Sequence, residues 1–418
     1  MPEWNDPADH GFAPERLARI DAFLEQQYLA PGKLPHAQLL IARDGRPVHF
    51  FQGGALREAD TLGHEDGTSM REDAIFRIAS MTKPVTSVAF MQLAEQARVA
   101  LDDPVERVIP EFADLRVFAG GGGAVPFAPG PSAPPMRFVD LMTHMAGLTY
   151  GFQERGPVDA AYRAAKLDFA RDGITSDEYI ATLARLPLEF APGTGWNYSV
   201  ATDVLGIAVE RLSGLRLGEY FRQHIFAPLG MADTAFHVPQ DRADRLADCY
   251  AYQPGGRPKL IDRGADSKLL QPGTFDSGGG GLLGTAADYH RFCAMLLNKG
   301  ELDGARIVAP KTLDLMTANH LPGGADLTQV SRSLFSESTN AGVGFGLGFA
   351  TVIDPPRTLI PASRGEFYWG GAYSTAFFVD PVERITAVFM TQLYPSSTYP
   401  IRRQLKTLIY AALERSYA

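Results

Sequence analysis

In this 418-residue chain a serine followed three residues later by a lysine occurs once, at Ser80-Met81-Thr82-Lys83; no other lysine has a serine at that spacing. The pair can do chemistry. A serine hydroxyl is inert at neutral pH until a neighbouring base takes its proton as it attacks, and an uncharged lysine amine is such a base. Desolvation at a buried helix start, next to the positive end of the helix dipole, favours that uncharged form. The same residues also fit a helix-capping serine followed by an exposed lysine, a very common arrangement, and three positions alone do not choose between the two.

For Ser80 and Lys83 to meet, a helix must begin at the serine. Pro84 lacks an N–H and is tolerated only in a first turn, so the spacing predicts a helix starting near Ser80. Val85, Val88, Phe90, Met91 and Leu93 carry its apolar face inward, which leaves Ser80 and Lys83 one turn apart on one face. Upstream, residues 14–29 read as a helix, and 37–42 and 48–51 as strands joined by an Asp44-Gly45 hairpin turn. Residues 120–135, rich in Gly and Pro, read as an exposed loop. From 138 to about 289 the signals are mainly helical, as at 176–184 and 203–212. Strands return at 345–353, 374–379 and 385–392, and 401–413 closes the chain as an amphipathic helix. This order implies an α+β fold: an antiparallel sheet lobe built from both chain ends (1–85 and 285–418), flanked by the N- and C-terminal helices, with 86–284 inserted as a helical lobe. Ser80 then lies at the junction, where clefts form.

Composition narrows the field. With 45% hydrophobic residues the chain can bury a large core, and a net charge of −9 argues against nucleic-acid or anionic-membrane partners. No apolar run reaches membrane-spanning length. Residues 1–11 are polar, with Asp6, Pro7 and Asp9, and lack the pattern of a signal peptide, so a cytoplasmic location is expected. Cys249 and Cys293 are too few for a disulfide framework and read as core thiols. The nine histidines lack metal-ligand spacing, so neither metal nor cofactor is expected. Gly279-x-Gly281-x-x-Gly284 formally fits a dinucleotide fingerprint, but no strand precedes it, and a tight turn before a helix at Ala286 explains it better. No Gly-x-Ser-x-Gly elbow is present, which counts against an α/β-hydrolase.

Ser80-Met81-Thr82-Lys83 resembles the Ser-x-x-Lys of serine β-lactamases and penicillin-binding proteins. Further segments match the class C branch in order: Leu141-Met142-Thr143-His144-Met145-Ala146-Gly147-Leu148, Pro192-Gly193-Thr194-Gly195-Trp196-Asn197-Tyr198-Ser199, Ser277-Gly278-Gly279-Gly280-Gly281-Leu282 and Trp369-Gly370-Gly371-Ala372. From about Gly11 to the C-terminus the chain looks most like the family VIII carboxylesterases, which have the β-lactamase fold. The resemblance implies an acyl-enzyme mechanism with Ser80 as nucleophile and Lys83 and Tyr198 as its base pair. It also implies an oxyanion site made by the backbone N–H groups of Ser80 and of Ala372 on an edge strand. A phenol beside an ammonium can pass the Ser80 proton to a leaving alkoxide, although Tyr198 by itself would fit a tyrosine packed beneath a helix start. Gly370 and Gly371 read as permitting close substrate approach, and His144 as structural.

The chain departs from the β-lactamase pattern at two motifs. Val200 stands where those enzymes carry asparagine, and Trp369-Gly370-Gly371 where they carry Lys-Thr-Gly, so the groups that hold a substrate carboxylate are gone. An aromatic wall replaces them, Trp369 with Trp196, Tyr368 or Tyr373, and the 120–135 loop is expected to narrow the cleft. The expectation is a serine carboxylesterase for neutral short-chain esters. A β-lactamase or D-amino-acid peptidase, for which Arg364 would be the suspected carboxylate partner, and an acyltransferase remain alternatives with the same nucleophile; a non-catalytic binding module is the outsider.

Overall fold

The computed structural model describes residues 4–58, 67–332 and 340–418. Its centre is an antiparallel sheet of eight strands in the order Val343–Phe345, Ala350–Val352, Phe367–Gly370, Ala376–Asp380, Ile385–Met390, His36–Arg43, Arg46–Arg57 and Thr68–Ser69. The two ends of the chain meet in the middle of this sheet, where Gln38 pairs with Met390 and Arg43 with Ile385. All eight residues of His36–Arg43 are buried, which is why Leu39 to Ala42 read as a continuous apolar run rather than an alternating one. The hairpin turn forms at Asp44-Gly45 as expected, with φ of 54° and 76°, the left-handed values that suit a two-residue turn between twisted strands.

One face of the sheet is covered by the helices Pro14–Leu24, continued by a wider turn to Leu29, and Ile401–Ala411. Leu17, Ile20, Leu24, Leu405 and Ile409 pack there with Leu39, Ile41, Ala387 and Phe389. The helix Ala286–Leu297 lies against the strands on the other side. Thr82–Glu95, expected to be amphipathic, is buried all round except at Gln92, Ala94 and Glu95, and it packs along Ala201–Ser213 of the helical segment. A helix without a polar face is a core helix.

Three expectations need correction. Residues 345–353 are not one strand but parts of two, because the chain turns between Phe345 and Ala350, where Gly348 has φ of 97°. The strand Phe367–Gly370 was not foreseen, and it pairs on both sides, so it is not an edge; Ala372 lies in the turn that follows. The 120–135 loop is irregular and largely exposed, but it folds back on its own stem through a Phe118–Phe127 edge contact and does not line the cleft.

Candidate active site

The strand Phe76–Arg77 pairs with Leu283–Gly284 and delivers the chain to a tight turn, Ala79–Met81, that runs straight into Thr82–Glu95. Ala79, immediately before Ser80, is held at φ of 46°, a left-handed value that an alanine seldom takes. Several bonds fix it there: Ile78 N–H donates to Leu282 O at 3.0 Å, Thr82 Oγ1 donates to Ala79 O at 2.7 Å, and Tyr289 OH donates to Met81 O at 2.9 Å. Strain at this one residue is overdetermined by its surroundings, as is common beside reactive groups.

Ser80 makes no capping bond and Lys83 is only 2% exposed, so the cap-and-surface-lysine alternative does not describe this turn. Lys83 Nζ lies 3.1 Å from Ser80 Oγ, 3.1 Å from Tyr150 OH and 2.6 Å from Gly279 O. Tyr198 OH donates to Ser80 Oγ at 2.7 Å, and its ring centroid is 4.6 Å from Lys83 Nζ. Gly279 O can only accept a hydrogen bond, whereas the two hydroxyls can accept or donate. The amine is therefore satisfied with three protons or with two, and can change charge without stranding a buried group.

Around this centre lies a supporting set. Asp203 Oδ1 accepts from Ser277 Oγ at 2.5 Å and from Gly279 N–H at 3.0 Å, and so aims the Gly279 carbonyl at Lys83. A Cβ on Gly279 would sit 2.5 Å from Asp203 Oδ2, so this position requires glycine. Burial pushes the Asp203 carboxyl up while the Lys83 charge pulls it down. Burial likewise holds the Tyr150 phenol well above its usual value, so it stays protonated. Burial and the nearby Lys83 charge keep the His144 imidazole well below its usual value. His144 sets its ring edge against Tyr198 at 5.0 Å, with Nδ1 3.2 Å from Ser199 Oγ.

These groups open onto a cavity of about 560 Å³. Ser80, Tyr198, Trp369, Gly370, Gly371 and Ala372 all line it, as do Trp196 and Tyr368; Lys83 sits just behind, while Tyr373 and Arg364 are not among the lining residues. The N–H groups of Ser80 and Ala372 find no acceptor among the described residues. Gly370 and Gly371 make room for the protein's own atoms, not only for a substrate. A Cβ on Gly370 would lie 2.6 Å from the Arg402 guanidinium carbon, and one on Gly371 would collide with Ile78 O and Thr375 Oγ1. Arg402 Nη2 reaches over this strand end to the carbonyls of Gly371 at 2.6 Å and Thr375 at 2.9 Å. Sequence reasoning missed Tyr150, Asp203, Phe152, Phe169 and Arg402. Tyr150 had a signal, since it stands two residues beyond the matched Leu141-to-Leu148 segment.

Among the described residues no group of His, Cys, Asp or Glu is arranged to hold a metal ion, and His64 lies outside them. No helix among them is long and apolar enough to cross a membrane.

A serine, a buried lysine and a tyrosine gathered at the start of a core helix beside an antiparallel sheet define a β-lactamase-type serine site, and the β-lactamase family profile matches residues 22–411. The chain belongs to that family. Protein Rv1367c of Mycobacterium tuberculosis is 35% identical over 357 residues, covering 84% of this chain and 86% of that one. Esterase EstB of Burkholderia gladioli is 32% identical over 421 residues, 96% of each. Among solved structures, that of EstCE1, a hydrolase with promiscuous acyltransferase activity, superposes with a TM-score of 0.77 at 27% identity, covering 95% of this chain and 99% of that one.

Proposed function

We propose that this protein is a family VIII carboxylesterase that cleaves neutral, short-chain esters through an acyl-enzyme on Ser80. The observation that carries the reading is the hydrogen-bonded set Tyr198–Ser80–Lys83, with Tyr150 on the far side of the lysine, at the wall of a cavity whose third motif is Trp369-Gly370-Gly371. As Ser80 Oγ attacks the ester carbonyl, its proton passes into the Lys83–Tyr198 pair. The carbonyl oxygen becomes an oxyanion held by the N–H groups of Ser80 and Ala372, and the C–O bond to the alcohol breaks as that proton is returned to the leaving alkoxide. Water then repeats the sequence on the acyl-enzyme and releases the acid. Residues 1–85 and 285–418 form the sheet lobe in this reading, and 86–284 the helical lobe. The unpaired, buried Cys249 and Cys293 suit the cytoplasm.

Substrate charge decides between ester and β-lactam. The lining cations are all on the C-terminal helix and already engaged: Arg402 with two carbonyls, Arg403 with Leu359 O, Lys406 with buried Glu366. A carboxylate entering beside Trp369 would lose its hydration and have to compete with these protein acceptors for a cation. We expect kcat/KM for p-nitrophenyl butyrate to exceed that for nitrocefin by at least about 100-fold, the size of a missing charge-assisted contact of roughly 3 kcal/mol. Comparable efficiency on nitrocefin would overturn the esterase reading. Acyl transfer to an alcohol is the second reading, favoured by the activity in EstCE1's own description; product analysis with an added alcohol separates it from hydrolysis.

A further inference from the structure

The cleft holds a second aromatic array that neither the Ser80 chemistry nor the Trp369 wall explains. The rings of Tyr150 and Phe152 stack with centroids 4.7 Å apart at 20°, and those of Phe152 and Phe169 follow at 5.9 Å and 27°. All three line the cavity, so the stack runs from the hydroxyl beside Lys83 out to the surface. Its outer member is costly by two independent measures. Phe169 is 49% exposed, and its φ of 54° is a left-handed conformation that a bulky residue rarely takes. Neither burial nor backbone preference puts a phenyl ring there. Instead Asp168 holds it: its carboxylate accepts the N–H of Gly151 at 2.8 Å and of Phe152 at 2.7 Å, tying the two loops so that Phe169 must stand against Phe152. Strain and exposed apolar surface kept together at a cavity mouth point to a ligand.

Which part of a substrate lies there follows from the proton path, so the inference rests on the esterase reading. The leaving oxygen must be within reach of Tyr198 and Lys83. Tyr150 adjoins both, with its ring 5.2 Å from that of Tyr198. Trp369 adjoins Tyr198 as well, its ring 5.4 Å away, but Tyr150 also bonds Lys83, so the acyl chain is assigned to the Trp369 side. We propose that Tyr150, Phe152 and Phe169 form a subsite for the alcohol moiety of the ester, and that it selects flat aromatic or fused-ring alcohols over saturated ones of equal size, because a stacked ring gains contact that a puckered one does not.

The test compares two butyrate esters with the same number of carbons and the same kind of alkoxide leaving group, 2-(1-naphthyl)ethyl butyrate and its decahydronaphthyl counterpart. The expected kcat/KM ratio for wild type is about 10 in favour of the naphthyl ester. Phe169→Ala should cut that ratio more than twofold, Phe169→Tyr should keep it, and Val125→Ala, at an exposed site on the 120–135 loop, which does not line the cavity, should leave it alone. Phe169→Gly relieves the backbone strain, so it should lose the preference without lowering Tm. A wild-type ratio of two or less, or one that Phe169→Ala changes by twofold or less, overturns the subsite. A second measurement does not depend on turnover: 2-(1-naphthyl)ethanol should slow labelling of Ser80 by a fluorophosphonate in wild type, and much less in Phe169→Ala. If no ester is hydrolysed the esterase reading falls, and this protection still decides the subsite; equal protection in both proteins, or none in either, refutes it.

Discussion

Replacing Tyr150 with phenylalanine removes one oxygen and leaves the ring stacked on Phe152. In the resting site Lys83 Nζ has three partners, at 3.1, 3.1 and 2.6 Å. As a buried ammonium the amine needs all three. Once acylated, Ser80 Oγ is an ester oxygen and a poor acceptor, so Tyr150 OH and Gly279 O carry most of the load. Loss of a hydrogen bond to a charged buried group costs about 1.5–3 kcal/mol, which is roughly a 10- to 150-fold fall in rate. The phenol is one of three partners at rest but one of two good acceptors once Ser80 is acylated, so the loss falls on kcat more than on KM. The assay is steady-state hydrolysis of p-nitrophenyl butyrate, with a rapid-mixing burst to time acylation and a melting curve to verify the fold. A kcat within twofold of wild type, with Tm unchanged, would refute the reasoning and make Tyr150 a packing residue.

Ser80→Ala should abolish covalent labelling by a fluorophosphonate while the protein still melts cooperatively near the wild-type Tm, since the hydroxyl caps no helix; mass spectrometry that finds the adduct on any other residue removes Ser80 from the mechanism. Lys83→Ala and Tyr198→Phe should each lower kcat by on the order of 100-fold, and the double variant should be little worse than the poorer single one, because the two groups move one proton between them. Fully multiplicative losses would contradict that sharing.

What could be read from the chain divides along physical lines. Ser80 and Lys83 were legible because three residues on a helix fix their geometry, and Pro84 marks where that helix begins. Tyr198 was reached only through the resemblance; 118 residues separate it from Ser80, and no periodicity relates them. Asp203 looked like an ordinary polar residue in the first turn of a helix. Its work depends on a tertiary contact with Gly279, a distance no local pattern encodes. The strand Phe367–Gly370 escaped notice because it is four residues long, two of them Trp369 and Gly370, and its partners come from distant segments. Arg402 lies on an amphipathic helix whose apolar face was plain from the sequence, but that a charged side chain on it would reach across to the Gly371 turn was not.

The pairing of Arg43 with Ile385 joins residues 342 positions apart in the middle of the sheet. Closing a loop of that length costs about 5 kcal/mol of chain entropy before any contact repays it, and at ribosomal speeds roughly 20–70 s pass between the synthesis of its two ends. Until residue 372 is made the nascent chain carries Ser80, Lys83 and Tyr198 but not the turn bearing Ala372, and until 385–390 are made the strand His36–Arg43 has an unpaired side. The proposed reactive centre therefore closes only after the turn bearing Ala372 has been made, and a translation product stopped before residue 367 would hold Ser80 without the Ala372 half of the proposed oxyanion site and with an open strand edge available to another chain.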